Sequence, residues 1–243
     1  MGPAYAGRVS RKGRREAAPP VSAAEFIGHE IEAVSPSARD PELVRVVVGR
    51  KTIATLDRVT AHKLRIRQGV EIDESLAQVL DEARARDGAR RTALRRLERS
   101  GASSATLSQL MQRRGATREI ASAVIADLAR LGLVDDERFA HDSARATLAR
   151  RPAGAPMIES CLRKKGIPGE LARKAAQAAV RGRDPMEDAF TLVSRRNPRF
   201  PAKLDAAARQ RRLLSYLARR GFDAGIARRA VERVLGRGGG GYA

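Results

Sequence analysis

The sequence predicts a mainly α-helical protein: three tandem three-helix repeats in an elongated, curved array, preceded by a small cap that contains a β-hairpin. Three observations predict it. From residue 89 onward the apolar residues recur with helical period and no strand pattern appears. A segment of basic residues ending in glycine occurs three times, at Arg113-Arg114-Gly115, Lys164-Lys165-Gly166 and Arg219-Arg220-Gly221, with glycines 51 and 55 residues apart. Only the stretch around residues 43–56 alternates as strands do.

Residues 1–42 are rich in Ala, Gly, Pro and Arg and read as a disordered basic arm, with one short amphipathic piece at Phe26, Ile27, Ile31 and Val34. Residues 43–88 form the cap. Leu43 to Val48 and Thr52 to Leu56 are the two strands, with a turn at Gly49-Arg50-Lys51. Asp57 caps a short helix ending near Leu64, and Asp73 caps another that carries Leu76, Val79, Leu80 and Ala83. Two strands alone are marginal, so the cap needs support from the helical residues C-terminal to it.

The repeats span residues 89–134, 135–183 and 184–236, and a Gly-rich tail occupies 237–243. Eight, five and four residues before each repeat glycine lie Leu107, Leu110, Met111; Ile158, Cys161, Leu162; and Leu213, Tyr216, Leu217. That spacing places them on one helical face. Thr117, Pro168 and Asp223, two past each glycine, start a second helix whose apolar stripe includes Ile120, Leu171 and Ile226. A period near 51 leaves room for a third helix per unit: Arg90–Arg99, Asp136–Leu148 and Pro185–Arg196. Tandem units of this kind contact mainly their neighbours.

Composition excludes several functions. A single cysteine rules out a disulfide framework and a thiolate zinc site, and it fits a reducing cytoplasm. No apolar run approaches the roughly 20 residues of a membrane span, and Met1 to Arg15 lacks the apolar core of a secretory signal. Aromatics are 3% and Trp is absent, which argues against base-stacking platforms. His29, His62 and His141 have no partner at a recognisable spacing, and no phosphate-binding glycine loop or nucleophile elbow occurs. The expectation is a non-enzyme without cofactor or metal.

The net charge is +20. Its distribution is more telling than its size, because residues 151–243 carry 21 basic and 8 acidic side chains. Such asymmetry points to a polyanion or an acidic protein surface as partner. The basic pairs before each glycine have a plainer explanation, since cations favour the negative end of a helix and glycine readily adopts the left-handed C′ conformation. Asp135-Asp136-Glu137 likewise reads as helix capping rather than a metal site, and Cys161 as a small core residue. A helix-turn-helix reader of bases is disfavoured. The second helices begin Thr117-Arg118-Glu119, Pro168-Gly169-Glu170 and Asp223-Ala224-Gly225, with an acid early in each. The candidate partner face is therefore Arg163, Lys164, Lys165, Arg211, Arg212, Arg219, Arg220, Arg228 and Arg229.

The stretch Leu131-Gly132-Leu133-Val134-Asp135-Asp136-Glu137-Arg138-Phe139-Ala140, followed by Gly154 and Ile158 to Ile167, closely resembles the RecX family. Ala93-Leu94-Arg95-Arg96-Leu97 with Ser103 and Leu107 is similar to that family's first unit, and Leu64 to Gly69 to its N-terminal segment. The resemblance spans roughly residues 44–235. It implies a cytoplasmic regulator of the RecA recombinase, built from three-helix repeats and lying in the groove of the RecA–DNA filament. Such a protein modulates, usually inhibits, strand exchange and ATP hydrolysis in recombination and DNA repair, and is expected to act as a monomer. The residues themselves leave two alternatives open: a non-specific nucleic-acid-binding helical repeat, and a scaffold for another acidic partner.

Overall fold

A computed structural model describes residues 22–38, 40–201 and 203–238. Its N-terminal sheet has three antiparallel strands in the order β1 (Ala33–Ser37), β2 (Asp40–Val48) and β3 (Lys51–Asp57). Val44, Val46 and Val48 alternate onto the buried face of the central strand, beside Ile53 and Leu56 of β3. Between β2 and β3, Gly49 and Arg50 both take positive φ, at 54° and 60°. A two-residue turn of that hand matches the twist of the paired strands.

The third strand corrects the expected arm. Residues 1–21 and 39 of that arm lie outside the described residues, but residues 22–38 and 40–42 are structured. Ser22 caps a 3-10 turn at Ala23–Phe26. The carboxylate of Asp81 accepts from the Ser22 hydroxyl and, at 2.9 Å, from the Ala23 amide. Ile31 is fully buried and Phe26 packs on the same core. Proline content hid the strand, because Pro36 pairs opposite Val44 on a sheet edge, where a missing N–H leaves no neighbour unsatisfied.

α1 (Arg58–Lys63) starts at Asp57, whose side chain accepts from Thr60 N at 2.8 Å. α2 (Glu74–Arg99) starts at Asp73, which accepts from Leu76 N at 2.7 Å. The sequence suggested one helix carrying Leu76, Val79, Leu80 and Ala83 and a separate one over Arg90–Arg99, but α2 is one helix of 26 residues. Gly88 lies inside it, and a Cβ there would meet nothing within 4 Å. A lone helical glycine costs about 1 kcal/mol, which the burial of Ala77 and Leu80 before it and Ala89 and Ala93 after it offsets. The chain divides into two compact units at Asp87/Gly88.

In the second unit the remaining helices follow as α3 (Ser104–Gln112), α4 (Arg118–Arg130), α5 (Asp136–Arg150), α6 (Ala155–Lys164), α7 (Gly169–Val180), α8 (Pro185–Arg196), α9 (Ala206–Arg219) and α10 (Ala224–Gly238). They enclose three separate apolar cores. One is centred on Ala93, Leu107, Met111 and Leu128, the next on Ala140, Ile158, Leu162 and Ala176, and the last on Val193, Leu213, Leu217 and Val231. In α3, α6 and α9 the positions eight and four before the glycine are buried. Leu110, Cys161 and Tyr216, five before it, are only half-buried.

Each of these three helices ends in the same way. The amides of Gly115, Gly166 and Gly221 donate to Gln112, Arg163 and Ala218, and those of Ala116, Ile167 and Phe222 to Met111, Leu162 and Leu217. The glycines sit at φ of 91°, 79° and 78°. This paired arrangement satisfies the last carbonyls and lets the following apolar residue fold back onto the helix. Of the expected Gly-rich tail, α10 takes in Gly238, and residues 239–243 lie outside the described residues. Among the described residues no helix is long and apolar enough to cross a membrane.

Candidate functional site

The nine nominated cations do not share one environment. Arg211, Arg212 and Arg219 on α9 and Arg229 on α10 are exposed and make no side-chain hydrogen bond or ion pair with a described residue. Arg212 and Arg219 lie two turns apart on one side of α9. Lys164 is exposed as well, and Arg163 lies 3.9 Å from Glu159 within α6. Arg228 is exposed beside Asp223. The amides of Gly225 and Ile226, with Arg228 adding to them, hold the Asp223 carboxyl below its ordinary 3.8.

Lys165 and Arg220, by contrast, are engaged within the fold, each at a joint between repeats. The Arg220 guanidinium reaches back to the segment before α6. Its Nε donates to the Pro152 carbonyl at 3.0 Å, and Nη2 donates to the carbonyl of Arg151 at 2.9 Å. The Arg220 carbonyl accepts from Gly154 N at 2.9 Å. Lys165 Nζ donates to Ser143 Oγ at 3.1 Å and lies 5.5 Å from the Phe139 ring centre. Its carbonyl accepts from the hydroxyl of Ser103 and, at 3.1 Å, from Thr106 Oγ1.

These are two versions of one joint. In both, the last residues of a repeat's middle helix dock on the N-cap of the preceding repeat's middle helix: Lys165-Gly166 on Ser103, and Arg220-Gly221 on Gly154. Backbones approach closely there. A Cβ on Gly166 would lie 2.7 Å from Ala105 Cβ, and one on Gly221 would lie 2.7 Å from Met157 N. A Cβ on Gly154 would overlap the Gly221 carbonyl. Gly115 has no repeat before it, and a Cβ there would meet nothing within 4 Å.

The sequence reading named Ser103 and Gly154 only within the family resemblance and gave them no role at a joint, because periodicity reports the face a helix shows its own repeat. The signal available was their shared place just before the middle helices. The acidic triplet is capping, as expected, with one addition. Asp135 accepts from Arg138 N at 2.9 Å, while Asp136 crosses the joint to accept from Ser104 N at 2.8 Å. No three His, Cys, Asp or Glu among the described residues gather as metal ligands would.

The crowd of arginines in the third repeat is thinned in the same way. Arg233 lies 2.5 Å from Glu187 and 4.1 Å from the Phe190 ring centre. Arg196 sits over Phe200 and Tyr216, and Arg209 donates to the Pro201 carbonyl at 3.3 Å. What remains open to a partner is the α9–α10 set together with Lys164, Arg195, Arg199 and Lys203.

No protein-family model matches the chain. Individual proteins do. A regulatory protein RecX from Thermobifida fusca (strain YX) is 34% identical over 150 residues, covering 60% of this chain and 78% of that protein. The chain belongs to the RecX family. Another RecX, from Syntrophotalea carbinolica (strain DSM 2380 / NBRC 103641 / GraBd1), is 33% identical over 135 residues, 56% of this chain and 88% of its own. A solved RecX structure superposes with a TM-score of 0.62 at 18% identity over 85% of this chain and 98% of that one. RecX from Lactobacillus salivarius gives 0.51 at 19% over 62% and 97%. These two share the fold, so the mainly helical architecture is a RecX architecture.

Proposed function

We propose that the chain binds the RecA–DNA filament and restrains its strand exchange and ATP hydrolysis, without chemistry of its own. The observation that carries this reading is membership of the RecX regulatory family. Its electrostatics support it. Exposed Arg211, Arg212, Arg219 and Arg229 on α9 and α10 lack acidic partners among the described residues, as a face meant for phosphates or an acidic protein surface requires. The reading places the protein in the cytoplasm, acting as a monomer by occupying space on the filament. The test is RecA-dependent ATP hydrolysis on single-stranded DNA, titrated with this protein. The expected result is a fall in rate at stoichiometric amounts, and an unchanged rate overturns the reading.

The unpartnered cations also favour a second reading, a non-specific nucleic-acid binder. Comparing affinity for bare and for RecA-coated single strands separates the two. Equal affinities favour the second reading, and tighter binding to the coated strand favours the first.

A further inference from the structure

The linker between the first and middle helices of a repeat is where the next repeat docks. In the first two repeats it has four residues, 100–103 and 151–154, and ends in Ser103 and Gly154, which receive Lys165-Gly166 and Arg220-Gly221. In the third it has nine, 197–205, it ends in Asp205, and no described repeat docks on it. Four residues suffice to join such helices, and the longer linker adds Arg199, Phe200 and Lys203. Its charge is not neutralised from within. From Ala189 to Phe222 the chain carries nine cations and one acid, Asp205, whose carboxylate accepts from Ala208 N at 3.1 Å. Arg195, Arg199, Lys203 and Arg212 are exposed and make no side-chain hydrogen bond or ion pair with a described residue.

Aromatic rings stand among these cations. The Arg196 guanidinium lies 5.5 Å from the Phe200 ring centre and 5.9 Å from that of Tyr216, close enough for cation–π attraction. Both rings are half-buried, whereas Arg196 is exposed and makes no side-chain hydrogen bond or ion pair with a described residue. Arg233, over Phe190, differs in that it donates to Glu187. Arg209 Nη2 ties the linker to α9 by donating to the Pro201 carbonyl at 3.3 Å. On α9 itself, Tyr216 lies about one turn beyond Arg212 and one turn short of Arg219. Planar groups among unpaired cations suit one class of partner. An acidic protein surface would meet the cations and leave the rings unused, and a duplex keeps its bases stacked inside. A single strand offers both chemistries, since each base presents a face to a ring or guanidinium plane while its phosphates meet arginine and lysine.

We infer that the long linker of the third repeat and the adjoining side of α9 form a site for a single nucleic-acid strand. A base stacks on the cluster of Arg196, Phe200 and Tyr216, and the flanking phosphates meet Arg195, Arg199, Lys203 and Arg212. The low aromatic content of the chain argued against such a platform, but the fold gathers the few rings that one base needs. The site goes beyond the proposed function, because it holds a strand without requiring RecA.

The experiment compares an oligothymidylate strand of about 15 nucleotides with an abasic strand of the same length, which keeps the phosphates and lacks the bases. The unaltered chain should bind the thymidylate strand about tenfold more tightly, a margin that one stacked base supplies. Arg196→Lys keeps the charge of an exposed side chain, and Tyr216→Leu keeps an apolar one. Each should erase most of that margin and leave the salt dependence of binding as it was. Arg199→Ala/Lys203→Ala should instead weaken both strands alike and flatten the slope of log K against log salt by about 1.4. With Tyr5→Phe and Tyr242→Phe in place, Tyr216 is the sole tyrosine of a chain without Trp, so its fluorescence reports the site. The thymidylate strand should quench it, and the abasic strand should not. The inference is overturned if the abasic strand binds as tightly or quenches as strongly, which would leave phosphates alone as the ligand. It is overturned too if Arg196→Lys and Tyr216→Leu keep the full margin, or if poly-glutamate binds as tightly as the thymidylate strand, which would make the occupant an acidic protein surface. RecA-dependent ATP hydrolysis separates the failures. A chain that shows no preference for bases yet slows hydrolysis loses this site and keeps the proposed function, whereas one that stacks a base and leaves hydrolysis unchanged keeps the site and loses that function.

Discussion

Three glycines at equivalent positions carry unequal burdens. All three hold positive φ, which an alanine adopts at a cost of about 1–2 kcal/mol. Gly115 has only that burden, since its surroundings are open. Gly166 and Gly221 also face atoms of the preceding repeat at 2.7 Å, and neither an alanine Cβ nor a backbone amide can step aside cheaply. Gly115→Ala should therefore lower stability by about 1–2 kcal/mol, or some 2–8 °C in Tm. Gly166→Ala and Gly221→Ala should each exceed it. Thermal unfolding of the three variants checks the order, and equal losses would mean that the joints yield. The triplicated glycine was legible in the sequence because helix termination is a local matter. That two copies are also contact points was not, because the partner atoms lie about sixty residues away along the chain.

At the two joints one member of each basic pair, Lys165 or Arg220, bonds to the protein itself and the other is left to solvent. Arg220→Ala removes donors from the carbonyls of Arg151 and Pro152 and should cost about 1–3 kcal/mol. Arg220→Lys should recover only part of this, because an ammonium cannot span two carbonyls as the guanidinium fork does. Arg219→Ala should stay within about 0.5 kcal/mol of the unaltered chain. Urea unfolding measures all three, and equal effects of Arg219→Ala and Arg220→Ala would dissolve the distinction. A second joining contact depends on pH. Burial raises the Asp81 carboxyl, but the Ser22 hydroxyl, the Ala23 amide and Arg84 outweigh it and hold the group below 3.8. A carboxyl lowered by folding stabilises above its unfolded value and loses that contribution as pH falls. Acidification from pH 5 through 3.8 and below should therefore loosen residues 22–26, seen as a falling protection factor for amide exchange at Ala23, the observed rate being divided into the unprotected rate at each pH. In Asp81→Asn the protection factor should already be low at neutral pH and flat across that range. Here the sequence showed the apolar residues Phe26 and Ile31 but not the acid that pins them, which lies 59 residues on from Ser22.

Across the whole molecule, the helical class, the threefold repetition and the helix starts were readable because each depends on contacts within a few turns. The strand β1 and the continuity of α2 were not, because an edge strand tolerates Pro36 and a helix packed before and after Gly88 tolerates the glycine. Charge behaved in the same way. The sequence counts cations, while the fold decides which are engaged by its own groups, as Lys165, Arg196, Arg209, Arg220 and Arg233 are. A test of the proposed face must therefore leave Arg220 alone. Arg211, Arg212, Arg219 and Arg229 can be replaced by alanine together, since all are exposed and none makes a side-chain hydrogen bond or ion pair with a described residue. The variant should keep the helicity and Tm of the unaltered chain and bind RecA-coated single strands more weakly. The salt dependence is the sharper readout. Each phosphate contact to a single strand contributes about 0.7 to the slope of log K against log salt. Losing four contacts should flatten that slope by up to about 3, and the two proteins should converge in affinity as salt rises. A slope that stays the same, with affinity lower at every salt concentration, would mean that these arginines meet an uncharged surface and that phosphates are held elsewhere.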